Sequence, residues 1–175
     1  MRARSLAYCC LALLLTGVLL ASCGYRFTAD SSTRLPAGHK VWVAYFQNNT
    51  VYPAAPVVLK RALFDQFAAL RGIGPAAGPA EGDLLVEGIL TSYGSDNASY
   101  TAMDVVREYR LVLSAEITVR RKGEVKPLWK GPVSAWQDYP TAATIELQRS
   151  NEDTALLEAS RKLAQQVIWN LEQNY

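Results

Sequence analysis

The sequence predicts an α+β fold, a two-layer sandwich in which two helices pack on one face of a four-stranded mixed sheet. Residues 109–119 alternate between apolar and polar side chains, broken only by Val112, as expected of a strand with one dry face. Residues 57–71 instead place apolar residues at helical spacing, as does a last segment that Ser150 or Asn151 can cap. The resulting order, β-α-β-β-β-α, supplies enough helix to cover one face of the sheet.

The first half of the domain is predicted to contain one strand, one helix and one loop. Residues 41–46 are β-branched and aromatic, which predicts a strand buried on both faces. The helix over residues 57–71 ends at Gly72, because glycine readily adopts the left-handed conformation of a helix end. Residues 74–79 are rich in glycine and proline and predict a loop. The apolar stripe of the helix consists of Leu59, Leu63, Phe67 and Leu70.

The second half is predicted to form antiparallel strands before the last helix. Residues 83–91 form a strand, and the small, polar residues 93–103 predict a long mobile connection. After the strand over residues 109–119, Gly123 permits a tight turn because it tolerates positive φ. Residues 125–136 return as a strand whose prolines confine it to an edge or to bulges. The last helix has an apolar stripe of Leu156, Leu157, Leu163, Val167, Ile168 and Leu171.

The first 22 residues predict a signal peptide. Arg2 and Arg4 give a positive start, and the apolar run over residues 6–20 is shorter than the roughly 20 residues of a spanning helix. The ending Leu20-Ala21-Ser22-Cys23 resembles the lipobox of bacterial lipoproteins. That resemblance implies cleavage before Cys23 and a covalent lipid on its thiol. The alternative is an ordinary signal peptide with an incidental cysteine.

Cys23 would then anchor the protein to a membrane. Two or three acyl chains hold a protein stably where a single chain is marginal. Gly24 follows in place of aspartate, which by resemblance to lipoprotein sorting implies the outer membrane, on its periplasmic face. Residues 23–40 form a lipidated tether, and residues 41–175 form one domain, since the 152 residues after Cys23 are too few for two comfortable domains.

Cysteine content and charge exclude several classes of protein. Cys9 and Cys10 leave with the signal peptide, so the mature chain has no free thiol and no disulfide framework. The whole chain has 18 basic and 16 acidic side chains, and loss of Arg2 and Arg4 leaves 16 of each. A nucleic-acid-binding protein normally shows a net basic surface, so the sequence predicts no nucleic-acid partner.

An enzyme would need convergent reactive groups, and the sequence supplies few. His39 is the single histidine, and a lone histidine in a tether is more often a solvated side chain than a base. Without a thiol, neither a Cys/His pair nor a structural zinc site can form. Gly72-Ile73-Gly74 is followed by Pro75, which breaks the helix that a dinucleotide motif requires. We therefore predict no catalytic residue, no metal and no cofactor other than the covalent lipid, although a hydrolase using two carboxylates stays as an alternative.

Positive charge is concentrated in residues 107–130, which carry +4 while the rest of the mature chain carries −4. Such a cluster at a hairpin tip concentrates positive potential where an anionic headgroup could dock. The alternative is that these side chains keep an exposed hairpin soluble and guard the edge of the sheet. The candidate contacts are Arg120, Arg121, Lys122, Lys126 and Lys130.

Several short segments, taken in order, resemble the LptE family of lipopolysaccharide-assembly lipoproteins. Cys23-Gly24-Tyr25 matches the start of the mature family members, and Gln47-Asn48-Asn49-Thr50 after the first strand is similar to that family. So are Leu84-Leu85-Val86-Glu87-Gly88, Glu108-Tyr109-Arg110-Leu111 and the terminal helix. The resemblance spans nearly the whole mature chain and depends on the order of its parts.

The resemblance implies a function without catalysis. Members of the family sit as a plug inside the outer-membrane β-barrel protein LptD, help that barrel to assemble, and bind lipopolysaccharide during its delivery to the outer leaflet. The basic cluster is then a candidate for contact with lipopolysaccharide phosphates, which arginine can bind through two parallel hydrogen bonds. The alternative function is a periplasmic lipoprotein that binds a small ligand or inhibits an enzyme.

Overall fold

The computed structural model describes residues 38–100, 102–103 and 105–173, apart from the side chains of residues 70 and 71. The predicted signal peptide, the predicted lipidation site Cys23 and most of the predicted tether lie outside these residues. The elements in chain order are β1 (Lys40–Val43), β2 (Gln47–Asn48), α1 (Ala55–Arg71), β3 (Gly74–Pro75), β4 (Leu84–Tyr100), β5 (Val106–Arg121), β6 (Trp129–Pro140) and α2 (Ile145–Gln173).

The sheet is mixed, as predicted, but it has six strands where four were expected. Its order is β3-β1-β4-β5-β6, with β2 paired to a later part of β4. β1, β2 and β3 form parallel pairs, whereas β4, β5 and β6 are antiparallel. The two additional strands, β2 and β3, have two residues each, and so short a segment carries no periodicity that sequence can reveal.

The prediction of a mobile connection over residues 93–103 is wrong for most of that segment. β4 continues to Tyr100 and pairs with β5, with shifts in register after Leu90 and near Asn97 and Ser99. The small, polar residues of this segment have little strand propensity of their own, but a long partner strand satisfies their backbone groups. Ser99 also donates a side-chain hydrogen bond of 2.8 Å to Glu108.

Two boundaries also differ from the prediction. β6 begins at Trp129, opposite Val119, because residues 122–128 form a wider turn than expected. α2 begins at Ile145, so neither Ser150 nor Asn151 caps it. Instead the Thr144 hydroxyl accepts a hydrogen bond of 3.3 Å from the backbone amide of Leu147. α1 ends at Gly72 with φ of +63°, as predicted.

One apolar core lies between the helices and the sheet. The predicted alternation along β5 is confirmed, because Leu111, Leu113, Ala115, Ile117 and Val119 are all buried in that core. The side chains between them point to the opposite face, which the helices leave open. In the part of the chain that the structure describes, no helix is both long and apolar enough to cross a bilayer.

Candidate functional site

The open face of the sheet carries most of the charged and polar side chains that the sequence pointed to. β5 and β6 are paired so that Thr118 lies opposite Lys130, Glu116 opposite Pro132 and Ser114 opposite Ser134. These side chains face away from α1 and α2, because strand neighbours alternate between the two faces. The outward residues of the two strands are Arg110, Val112, Ser114, Glu116, Thr118, Arg120, Lys130, Pro132, Ser134, Trp136 and Asp138.

Three of the five predicted basic contacts are held by carboxylates of the same chain. Arg120 Nη2 lies 2.7 Å from Glu87 Oε1, and Lys130 Nζ lies 3.2 Å from Glu116 Oε1. Arg121 Nη1 lies 3.1 Å from Oε1 of Glu124 in the adjoining turn. All of these pairs are roughly half exposed, so each contributes only about 0–1 kcal/mol to stability. Glu87 supplies a carboxylate from outside residues 107–130, whereas Glu116 and Glu124 belong to that segment and are already counted in its charge of +4.

The remaining positive charge lies in the turn between β5 and β6. Lys122 Nζ donates a hydrogen bond to the backbone carbonyl of Ala80, and the Lys122 amide donates one to Asp83. Lys126 is exposed. Neither lysine forms an ion pair within residues 38–173 as far as the structure describes them. We call Lys122 and Lys126 the basic turn. The five predicted contacts therefore do not form one patch, because Arg121 also alternates to the helix side of β5.

His39 lies at the same end of the sheet as the basic turn. Its Nδ1 atom is 3.4 Å from Asp83 Oδ2, and the same carboxylate accepts a hydrogen bond of 2.9 Å from the Lys40 amide. The histidine ring thus links the residues just before β1 to the residue just before β4. Among the described residues, no group of three metal-ligating side chains is close enough to hold an ion.

A groove of about 390 Å³ crosses the open face between β2, β4, β5 and β6. The sequence did not predict it, because residues 41–46 were expected to be buried on both faces. That expectation is wrong for Tyr45, which is 67% exposed at the groove. The groove adjoins a second hollow that shares Glu116 and continues towards Ser114 and Ser134. The groove is lined by Ala44, Tyr45, Gln47, Glu87, Gly88, Ile89, Glu116, Thr118 and Lys130.

The carboxylates near the start of α2 belong to a structural contact with two tyrosines. The rings of Tyr52 and Tyr93 stack with centroids 4.5 Å apart. Tyr52 donates a hydrogen bond of 2.8 Å to Asp153, and Tyr93 donates one of 2.5 Å to Glu152. Burial, followed by the bond to Asp153, raises the pKa of Tyr52 to about 12. Burial and the bond to Glu152 raise the pKa of Tyr93 further still.

An ion pair and an aromatic ring lie on the open face where β5 pairs with β6, and Lys162 covers part of the free edge of β6. Arg110 donates two hydrogen bonds to Asp138, of 2.7 and 2.8 Å, and its guanidinium lies 4.0 Å from the centroid of the Trp136 ring. The hydrogen bond from Arg110 holds the pKa of Asp138 below its usual range. Lys162 reaches from α2 to donate 3.1 Å and 2.9 Å hydrogen bonds to the Trp136 carbonyl and the Gln137 side chain. This arrangement occupies groups through which a free strand could otherwise pair.

Several exposed apolar side chains lie at the end of the sheet opposite the basic turn. Thr141 donates a backbone hydrogen bond of 3.0 Å to Arg107, which places the start of α2 beside the start of β5. Met103 is 87% exposed and Ile145 is 68% exposed at this end. Exposed apolar clusters of this kind mark interaction sites in soluble domains. We call this surface the apolar end, and its members are Tyr100, Met103, Val105, Ile145 and Leu147.

The chain is a small α+β domain with two helices on one face of a mixed sheet. Comparison with known proteins shows the family to which it belongs. The LptE family, described as lipopolysaccharide-assembly, matches residues 39–171. The chain therefore belongs to the LptE family, as the sequence predicted. No curated protein sequence matches the chain.

Solved structures with a similar fold include several bacterial lipoproteins. A putative lipoprotein from Caulobacter crescentus is 10% identical with a TM-score of 0.54, over 76% of this chain and 88% of that one. Rare lipoprotein B from Shewanella oneidensis is 14% identical with a TM-score of 0.50, over 75% of this chain and 94% of that one. A protein from Xanthomonas campestris is 11% identical with a TM-score of 0.55, over 78% of this chain and 87% of that one. At such low identity these likenesses show the fold alone.

Proposed function

We propose that this protein is an outer-membrane lipoprotein that plugs the LptD barrel, helps it to assemble and binds lipopolysaccharide on its way to the outer leaflet. The observation that carries the proposal is the LptE family match, which spans residues 39–171 and so includes every described strand, α1 and all but the last two residues of α2. The anchor in this proposal is a lipid on Cys23 at the periplasmic face. The protein would carry no other cofactor and catalyse no reaction.

The open face supports the role of a plug. The lumen of a large outer-membrane barrel is polar and wet, so a domain that fills it needs a polar outer surface. The open face meets this requirement with charges that are balanced in pairs, such as Arg120 with Glu87 and Lys130 with Glu116. A surface of this kind can lie against water and polar side chains without a large net field.

The apolar end supports a contact with a protein partner. Its exposed side chains gain free energy when a partner removes them from water, at about 25 cal/mol for each Å² of apolar surface. The open face offers few such side chains, whereas Met103 and Ile145 are both largely exposed at the apolar end. We therefore propose that the apolar end makes a stabilising contact with the barrel.

Co-purification of the full-length lipoprotein with its barrel tests this proposal. The native chain should recover a stoichiometric amount of LptD in mild detergent, and substitution of both Met103→Asp and Ile145→Asp should lower that amount about tenfold or more. Val125→Asp is the matched control, because Val125 is 94% exposed at the other end of the sheet. Recovery of no barrel by the native chain, or export of lipopolysaccharide that persists when the protein is depleted, would contradict the proposed function.

The groove on the open face supports a second candidate function. A periplasmic lipoprotein that binds a small ligand, or inhibits an enzyme, would use a concave site such as this groove of about 390 Å³. Such a protein would purify from mild detergent as a free monomer with no barrel attached. The same co-purification therefore separates the two functions.

A further inference from the structure

Gly88, which lines the groove on the open face, makes a close contact with the core. A side chain added at Gly88 would place its Cβ 2.7 Å from Phe46 Cε1 and 2.5 Å from the Glu116 carbonyl oxygen. The absence of that side chain lets Phe46 pack with no exposed surface in the core. Phe46 thereby occupies the inner side, and its neighbour Tyr45 lies at the groove with 67% of its surface exposed.

The charges around the groove are balanced. Glu87 is paired with Arg120 at 2.7 Å, and Glu116 is paired with Lys130 at 3.2 Å. A phosphate that entered the groove would have to displace a carboxylate from its cation and then lie beside that carboxylate. Since like charges at such distances repel, the groove disfavours anions. It favours a neutral ligand.

The groups that remain are suited to hydroxyls. Gln47, Thr118 and the paired carboxylates offer donors and acceptors at one site. The second hollow continues this row with the hydroxyls of Ser114 and Ser134, which lie 2.9 Å apart. Two adjoining hollows arranged in this way fit a ligand that is longer than one ring. A volume of about 390 Å³ for the groove is in the range of small-molecule sites.

We propose that the groove binds a neutral oligosaccharide, with the Tyr45 ring as a stacking surface for one sugar and with Gln47, Glu87, Thr118 and Glu116 as partners of its hydroxyls. A protein partner is the less suitable occupant, because protein interfaces centre on apolar side chains, whereas Tyr45 is the one large apolar side chain that is mostly exposed among the residues lining the groove. The inference deepens the proposed function and rests on it for the biological source of the sugar, since lipopolysaccharide carries a chain of sugars.

The test is a titration of the full-length lipoprotein in detergent with maltotetraose, cellotetraose and mannotetraose, followed by NMR chemical shifts. At least one sugar should bind with a millimolar Kd and shift the amides of residues 44–47, 87–89 and 116–118. Tyr45→Ala should weaken that binding by about tenfold, whereas Tyr45→Phe, which keeps the ring, should retain it. Trp169→Ala is the matched control, since it removes a similarly exposed aromatic ring from α2, and it should leave sugar binding unchanged.

Three results would overturn the inference. They are the absence of binding by all three sugars, equal binding by native protein and Tyr45→Ala, and displacement of the bound sugar by inorganic phosphate. The titration is independent of LptD, which separates this inference from the proposed function. If the native protein recovers the barrel but binds no sugar, only the proposal of sugar binding in the groove is refuted. If it binds sugar but recovers no barrel, only the proposed function as a barrel plug is refuted.

Discussion

At the scale of single residues, the hydrogen-bond partner of each polar side chain determines its role. In the sequence, Glu152 and Asp153 are adjacent carboxylates near the start of a helix. Pairs of carboxylates are also used by enzymes for acid–base catalysis. The structure places them in the third turn of α2, where each accepts a hydrogen bond from a tyrosine. Because those bonds join β4 and the segment before α1 to α2, the two carboxylates serve packing.

The tyrosine pair makes stability depend on alkaline pH. A pKa of about 12 for folded Tyr52, against about 10 when unfolded, gives stability that is fully present below pH 10 and is lost as the pH rises towards 12. Tyr93 acts in the same direction, since its pKa is also raised. Replacement of both by phenylalanine should therefore lower the free energy of unfolding by about 1–3 kcal/mol at neutral pH and flatten its fall above pH 10. Urea unfolding at about pH 8 and about pH 11 measures both effects, and an unchanged slope would contradict the assignment.

At the scale of elements, the sequence predicted those that are regular and missed those that depend on a partner. The alternation over residues 109–119 and the stop at Gly72 are local properties, and both are confirmed. The later part of β4 is polar and becomes a strand only because β5 lies beside it. The site follows the same rule. The sequence identified the basic residues, but it could not predict that Glu87 and Glu116, distant in the chain from Arg120 and Lys130, neutralise two of them.

A substitution in β4 can test how tightly this strand packs against Phe46 in the core. Gly88→Ala should lower the free energy of unfolding by about 1–3 kcal/mol, because the new Cβ meets the Glu116 carbonyl and Phe46 at less than 3 Å. Gly94→Ala in the same strand is the matched control, since nothing lies within 4 Å of the added atom. That control should be neutral or slightly stabilising, because alanine restricts the unfolded chain. Thermal unfolding of both variants measures the difference, and equal stability of the two would show that Phe46 can move aside.

At the scale of the whole domain, the charged and apolar surfaces lie at opposite ends of one long strand. β5 has 16 residues and so spans roughly 50 Å, from the apolar end near Val106 to the basic turn after Arg121. The groove lies on the open face between them. Sites so far apart, with no shared side chains, are expected to behave additively when changed. Under the proposed function, contact with the barrel and contact with lipopolysaccharide phosphates would therefore be separable.

The basic turn tests that separation. Lys122→Glu together with Lys126→Glu should weaken lipopolysaccharide binding by about 30-fold or more. These are the predicted contacts whose charge no described carboxylate offsets, and charged contacts of this kind contribute about 1 kcal/mol each. Lys60→Glu with Arg61→Glu on α1 makes the same change of net charge elsewhere and should leave binding unaltered. Both variants should recover as much barrel as the native chain. Titration with lipopolysaccharide in detergent, beside the co-purification, measures the two activities on one preparation. Equal weakening by the two double variants would mean that net charge alone attracts the ligand, and no change with Lys122 and Lys126 reversed would leave the turn as a solubilising tip that guards the sheet.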